Sequence, residues 1–258
     1  MGYLRLRQIC LVAEALEPAI ADLAAVLGLA VCYRDGNVAR YGLVNALLPL
    51  GHGFLEVVAP TRPGTAAGRY LERRRGAGGY MVIVDCDDIE RRRGHLAAIG
   101  VRIANPLRYD DYVGLQLHPR DTGGAMLELN RTLGGDRSDG PYHPAGPHWQ
   151  DFIRTETARA LLAAELQSAD PEALARRWGA VLERAPMPGP AGAPEIALDV
   201  GRLRFVAASD GRGEGLGGLD IAVADPAPIL AEARRRSCPV MGDQVTLCGT
   251  RLRLVGER

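Results

Sequence analysis

The chain has 258 residues, with 31 basic and 31 acidic side chains and a formal net charge of +0. That balance excludes the basic excess of an ordinary nucleic-acid binder. No run approaches the roughly 18 apolar residues of a membrane-spanning helix, so neither nucleic acid nor membrane is expected as a partner. All 31 basic residues are arginine, which removes lysine Schiff-base and P-loop lysine chemistry. There is no Gly-x-Ser-x-Gly elbow, which disfavours an α/β-hydrolase. Five cysteines (Cys10, Cys32, Cys86, Cys238, Cys248) form no Cys-x-x-Cys pair and read as reduced, mostly buried thiols. The opening Met1 to Leu6 lacks a signal-peptide apolar region, which predicts a cytoplasmic protein. Abundant Arg, Ala, Gly and Pro point to a GC-rich, bacterial genome.

In chain order, Ile9 to Ala13 predicts a buried strand. Pro18 opens a helix carrying Ile20, Leu23 and Leu27, and Gly28 ends it. Val31-Cys32-Tyr33, Tyr41 to Leu50 and Phe54 to Val58 predict three more strands. A second copy follows. Met81 to Val84 is its strand, and Asp87 with Glu90 suggests a capping box. Leu96 and Ile99 mark the helix face, Gly100 the stop. Val101 to Ile103, Leu115 to Leu117 and Met126 to Leu129 are its later strands.

Two weaker copies complete the chain. Leu161 to Leu166 leads to Asp170-Pro171 and a helix with Leu174, Trp178 and Val181; Ile196 to Leu198 and Leu203 to Val206 follow. Leu219 to Val223 leads to Asp225-Pro226 and a helix with Ile229 and Ala233; Val245 to Leu247 and Leu252 to Val255 follow. Each Asp-Pro supplies an N-cap and a first helical residue. Residues 134–149 read as a turn-rich linker between halves 1–133 and 150–258. Ala185 to Pro194, rich in proline, reads as the stretch most prone to disorder. The expected fold class is α+β: four βαβββ modules paired into two halves, two modules to each.

This arrangement resembles the vicinal-oxygen-chelate superfamily, which includes glyoxalases, bleomycin-resistance proteins, extradiol dioxygenases and methylmalonyl-CoA epimerases. The likeness rests on Leu6 to Ile20, on Phe54-Leu55-Glu56-Val57-Val58, and on the closing hairpin Asp121 to Leu129. It runs from Leu4 to Thr132 and is looser beyond. The resemblance implies a pocket in a cupped sheet, with a divalent metal held by residues of the first and fourth strands of each module. Carried over one at a time, those positions fall on Gln8, Glu56, Met81 and Glu128. The spacing of 48 residues from Gln8 to Glu56 matches the 47 from Met81 to Glu128. Gln8, Glu56 and Glu128 offer oxygen ligands to Mn²⁺, Mg²⁺, Fe²⁺, Ni²⁺ or Zn²⁺, whereas Met81 is a poor ligand for hard ions. The family's usual histidine is absent from both first strands, which disfavours a dioxygenase. The third and fourth modules place Ala163, Gly218, Phe205 and Leu254 at these positions, so the C-terminal half reads as a pseudo-repeat without a site.

Glu56 and Glu128 interrupt apolar strands, where an unpaired carboxylate is costly. Each is either a pocket residue or a paired sheet-edge residue. His118, in Gln116-Leu117-His118-Pro119, is a pocket acid, base or ligand, or else a hydrogen-bonded strand-end residue. His95 reads as solvent-facing, His52 as a turn residue, and His143 and His148 as linker residues. Arg73 to Arg75 and Arg91 to Arg93 read as solvated helix faces. Two functions follow. One is metal-assisted lyase or isomerase chemistry on a small molecule, with Glu56, Glu128 or His118 moving a proton. The other is a metal-free protein that binds or sequesters a small molecule, like the bleomycin-resistance relatives. Met81 and the missing histidines favour the second, the two glutamates the first. A homodimer is compatible with either.

Overall fold

The computed structural model describes residues 2–190 and 192–256; Met1, and Ala191 of the proline-rich stretch, lie outside the described residues. The elements are β1 (Leu4–Val12), α1 (Leu16–Leu27), β2 (Leu43–Leu50), β3 (Gly53–Pro60), α2 (Ala66–Arg74), β4 (Gly78–Cys86), α3 (Ile89–Ala98), β5 (Ile103–Tyr109), β6 (Tyr112–Leu117), α4 (Pro119–Thr122) and β7 (Met126–Thr132). There follow β8 (Ala158–Ser168), α5 (Pro171–Leu182), β9 (Met187–Pro188), β10 (Pro194–Ala197), β11 (Arg202–Ala207), β12 (Gly215–Val223), α6 (Pro226–Arg235), β13 (Val240–Met241), β14 (Gln244–Leu247) and β15 (Thr250–Gly256). The fold is α+β with mixed pairing, and three modules complete the βαβββ order. In each of these the first strand runs parallel to the last: β4 with β7, β8 with β11, β12 with β15. The remaining pairs are antiparallel hairpins.

The first module departs from expectation. Val31 to Tyr33 makes only an isolated bridge, Tyr33 to Leu47, and residues 36–41 form a 3-10 turn capped by Asp35. β2 therefore begins at Leu43, not Tyr41. The cap of α3 falls one residue later than the capping box suggests: Asp88 accepts from Arg91 N–H at 3.0 Å. At the two ends of the proline-rich stretch, β9 pairs antiparallel with β10.

The chain forms two compact units, each assembled from three segments. The first comprises residues 1–8, 80–143 and 163–217 and so holds the second and third modules. Arg92 ties α3 to α5, donating to Leu182 O at 2.9 Å and to Glu183 at 2.6 Å. It is 4% exposed, so the Arg91 to Arg93 run is not a wholly solvated face. His95 Nε2 lies 2.8 Å from Ala180 O. Trp178 and Phe205 meet edge-on at 6.2 Å in the core of this unit. The second comprises residues 9–79, 144–162 and 218–258, the first and fourth modules. Here α1 packs on α6, Arg236 pairs with Asp22 at 2.8 Å, and Trp149 packs edge-on against Phe54 at 5.0 Å. Arg74 is buried, whereas Arg73 and Arg75 are exposed. All five cysteines are free thiols, with Cys10 and Cys86 buried. Among the described residues no helix is long and apolar enough to cross a membrane.

Candidate functional site

Strand alternation places Tyr112, Gly114 and Gln116 of β6 on one face, opposite Thr132, Asn130 and Glu128 of β7. On the other side of β7, Met81 pairs with Met126, Ile83 with Glu128 and Asp85 with Asn130. Glu128 and Met81 therefore share a face within the first unit, as the strand register predicts.

Glu128 is 2% exposed and surrounded by neutral donors. The Tyr112 hydroxyl donates to its Oε1. Asn130 Nδ2 donates to the same oxygen at 3.2 Å, and Gln116 Nε2 donates to Oε2 at 2.9 Å. Gln116 is itself oriented by Asn105 Nδ2, 2.8 Å from its carbonyl. Burial pushes the Glu128 carboxyl above its ordinary range, against the downward pull of these three donors. Burial also raises the Tyr112 phenol, with the Glu128 charge adding to the effect.

The network continues to Gln8. Asn130 Nδ2 donates to the Tyr112 and Tyr142 hydroxyl oxygens at 3.0 and 3.3 Å. The Tyr142 hydroxyl donates to Gln8 Oε1 at 2.9 Å. Gln8 and Glu128 are thus linked through Tyr142 and Asn130. Asn130 Oδ1 is buried without a hydrogen-bond partner among the described residues, an acceptor left over for a donor.

A second polar group flanks the first. Arg5 and Arg7 are buried, at 5% and 2% exposure. Arg5 pairs with Asp85 at 2.5 Å. Burial raises the Asp85 carboxyl, while Arg5 and Arg7 oppose the shift.

Gly114 permits this arrangement sterically. A Cβ there would lie 3.0 Å from Tyr112 Cε1, 3.1 Å from its hydroxyl and 3.2 Å from Glu128 Oε1.

Glu56 and His118 each have hydrogen-bond partners of their own. Glu56 belongs to the second unit, on β3 opposite Leu47. It accepts from Asn45 Nδ2 at 2.7 Å, and Asn45 Oδ1 accepts from Asp35 N–H at 2.8 Å. His118 caps α4: its Nδ1 accepts from Arg120 N–H at 3.2 Å and faces Arg102 at 3.4 Å. It makes a strand-end contact set and none with Glu128. In the third and fourth modules, Ala163, Phe205 and Leu254 are buried. The second unit also carries an open groove of about 550 Å³ lined in part by Glu14, Arg62, Leu71, Glu72 and Arg75, and by none of the expected site residues.

The donor set fits a divalent ion poorly. Gln8 Oε1 and both Glu128 oxygens already accept from protein donors, and the fourth carried-over position is Met81. Among the described residues no three His, Cys, Asp or Glu side chains gather into a metal-sized group. What the cluster offers is a buried, hydroxyl-rich group of side chains centred on one carboxyl.

The glyoxalase-like domain model matches residues 9–182. No curated protein matches. Among solved structures, a hypothetical protein from Staphylococcus aureus is similar over 98% of this chain and 99% of its own, at 11% identity and a TM-score of 0.69. A mutant of 4-hydroxymandelate synthase from Streptomyces coelicolor is similar over 92% of this chain and 76% of its own, at 14% identity and a TM-score of 0.67. A methylmalonyl-CoA epimerase from Streptomyces coelicolor is similar over 50% of this chain and 98% of its own, at 23% identity and a TM-score of 0.46. The first two likenesses speak to the fold alone, and the match of the domain model over most of the chain places this protein in the glyoxalase-like domain family.

Proposed function

We propose that this chain is a metal-free protein that binds or sequesters a small molecule, a role like that of the bleomycin-resistance relatives. One observation carries the reading. The first-unit oxygens that the family register assigns to a metal already accept hydrogen bonds from neutral protein donors, in a site where burial pushes the Glu128 carboxyl above its ordinary range. A cation would reverse that shift, because its charge offsets the desolvation of a carboxylate.

A second reading keeps an enzyme of lyase or isomerase type, with Glu128 moving a proton and Glu56 and His118 as further candidates. Its support is the raised Glu128 carboxyl beside the Tyr112 hydroxyl, a carboxyl that holds its proton more readily than an exposed one.

Elemental analysis of untagged protein, with thermal melts in Mn²⁺ and in chelator, tests the first reading. We expect no stoichiometric metal and the same melting temperature in both conditions, for wild type and for Glu128→Gln alike. Stoichiometric metal, with a wild-type melting temperature that falls in chelator, overturns it.

A further inference from the structure

Two helices, α2 and α5, each end on a left-handed (αL) residue that is not glycine. Arg75 follows α2 at φ +57°, and Glu183 follows α5 at φ +56°. Glycine is the usual occupant of that position, because a Cβ crowds the following carbonyl there. At Glu183 the side chain offsets the strain: it accepts from Arg91 at 2.9 Å and from Arg92 at 2.6 Å. Arg75 has no such bonds, although the cap stops one residue short of Gly76.

Arg75 instead lines the open groove of the second unit, about 550 Å³, together with Glu14, Arg62, Pro63, Leu71 and Glu72. That volume is ordinary for a small-molecule site, which spans about 300–1,000 Å³. Leu71 is buried, and the four charged residues are exposed. Among the described residues none of these four side chains has a hydrogen bond or an ion pair. Yet Glu72 and Arg75 stand three apart, a spacing that pairs elsewhere in this chain: Glu90 with Arg93 at 2.9 Å in α3, and Glu232 with Arg235 at 2.5 Å in α6. The αL backbone turns Arg75 off the helical row, so the pair in α2 does not form. Arg62 is placed by a glycine: a Cβ at Gly42 would lie 2.6 Å from its Nε.

We propose that this groove is a second binding site, which takes a small zwitterion with an apolar body, of dipeptide size. Its carboxylate would pair with Arg62 and Arg75, its ammonium with Glu14 and Glu72, and its apolar body would lie against Leu71 and Pro63. The lining carries two charges of each sign. An anion alone meets two carboxylates, and a cation alone meets two guanidiniums, whereas a zwitterion finds a partner for each end. The planar guanidinium fork matches a carboxylate in two places and so favours that group at the arginine end. The groove shares no residue with the Glu128 cluster, and its occupancy does not depend on whether that cluster holds a metal.

Calorimetric titration of wild type with leucyl-leucine should show saturable binding. The N-acetyl and the C-terminal amide forms of the same dipeptide, each lacking one charge, should bind at least about 10-fold more weakly. Arg75→Gly separates the site from the fold. Glycine accepts αL freely, so the melting temperature should rise. Leucyl-leucine should nevertheless bind this variant at least about 10-fold more weakly than wild type, and no more tightly than the amide does. No saturable binding in wild type, equal affinity for the capped forms, or undiminished affinity in Arg75→Gly overturns the proposal. So does a melting temperature that fails to rise in Arg75→Gly, which would show that the arginine serves the fold.

Discussion

A buried carboxyl such as Glu128 is expensive to ionise, and its neighbours are dipoles, not charges. Its folded-state pKa lies above the unfolded value. The folded protein therefore binds the proton more tightly, and this contribution is fully present below the unfolded carboxylate pKa of about 4.3. It is lost as pH rises through the folded value. Glu128→Gln removes the titration. The melting temperature of this variant relative to wild type should therefore shift in the variant's favour between about pH 4 and pH 8, read by thermal melts across that range. A difference that moves toward wild type with rising pH would show an ionised Glu128 stabilised in the fold. Gly114→Ala tests the same cluster sterically. The added Cβ meets Tyr112 and Glu128 at 3.0–3.2 Å, and overpacking of this kind costs about 1–3 kcal/mol, measurable by urea unfolding. Glu128 was legible in the sequence because a charge interrupts an apolar strand. Tyr112, Gln116, Asn130 and Tyr142 were missed. The first three follow a period-two stripe that appears only once β6 and β7 are set in register. Tyr142 arrives from a loop, where no periodicity exists to read.

At the scale of elements, punctuation proved more informative than propensity. Asp170 and Asp225 cap α5 and α6, each followed by proline, as the Asp-Pro pairs predict. Asp170 accepts from Ala173 N–H at 2.9 Å. Asp170→Ala should therefore cost about 1 kcal/mol, with no change in the slope of a urea titration. The α2 boundaries were not read, because its 66–74 stretch shows little apolar periodicity beyond Tyr70 and Leu71. Val31 to Tyr33 has the composition of a strand but joins Leu47 only through an isolated bridge. Arginine runs misled for a physical reason. Within Arg91 to Arg93, only Arg92 turns inward, and what draws it there is a helix end and Glu183, some ninety residues away in sequence. No local pattern announces such a partner.

At the scale of the whole molecule, the modules were legible as repeats, but the chain order conceals which of them build a common core. The first unit joins residues 80–143 to 163–217, across the stretch where composition suggests a linker. Its bonds between these segments are specific. Arg92 reaches Leu182 O, Arg177 Nε donates to Asp121 O at 2.5 Å, and Gly124 N–H donates to Glu214 at 2.8 Å. Leu166 and Leu174 side chains come so close to Gly124 that a Cβ there would touch both, at 3.1 and 3.3 Å. A fragment ending at residue 133 keeps one side of each of these contacts and loses the other, together with Tyr142 on Gln8. It would also lose the bonds of Arg92 to Leu182 and Glu183 and the apolar contact of Leu166 and Leu174 at Gly124, against a domain stability of about 5–15 kcal/mol. Residues 1–133 alone should therefore give no cooperative thermal transition and should bind a hydrophobic dye, whereas the full chain melts cooperatively. A sharp, reversible transition in the 1–133 fragment would mean that the N-terminal half carries its own core, and that the contacts from α5 add to a fold already made.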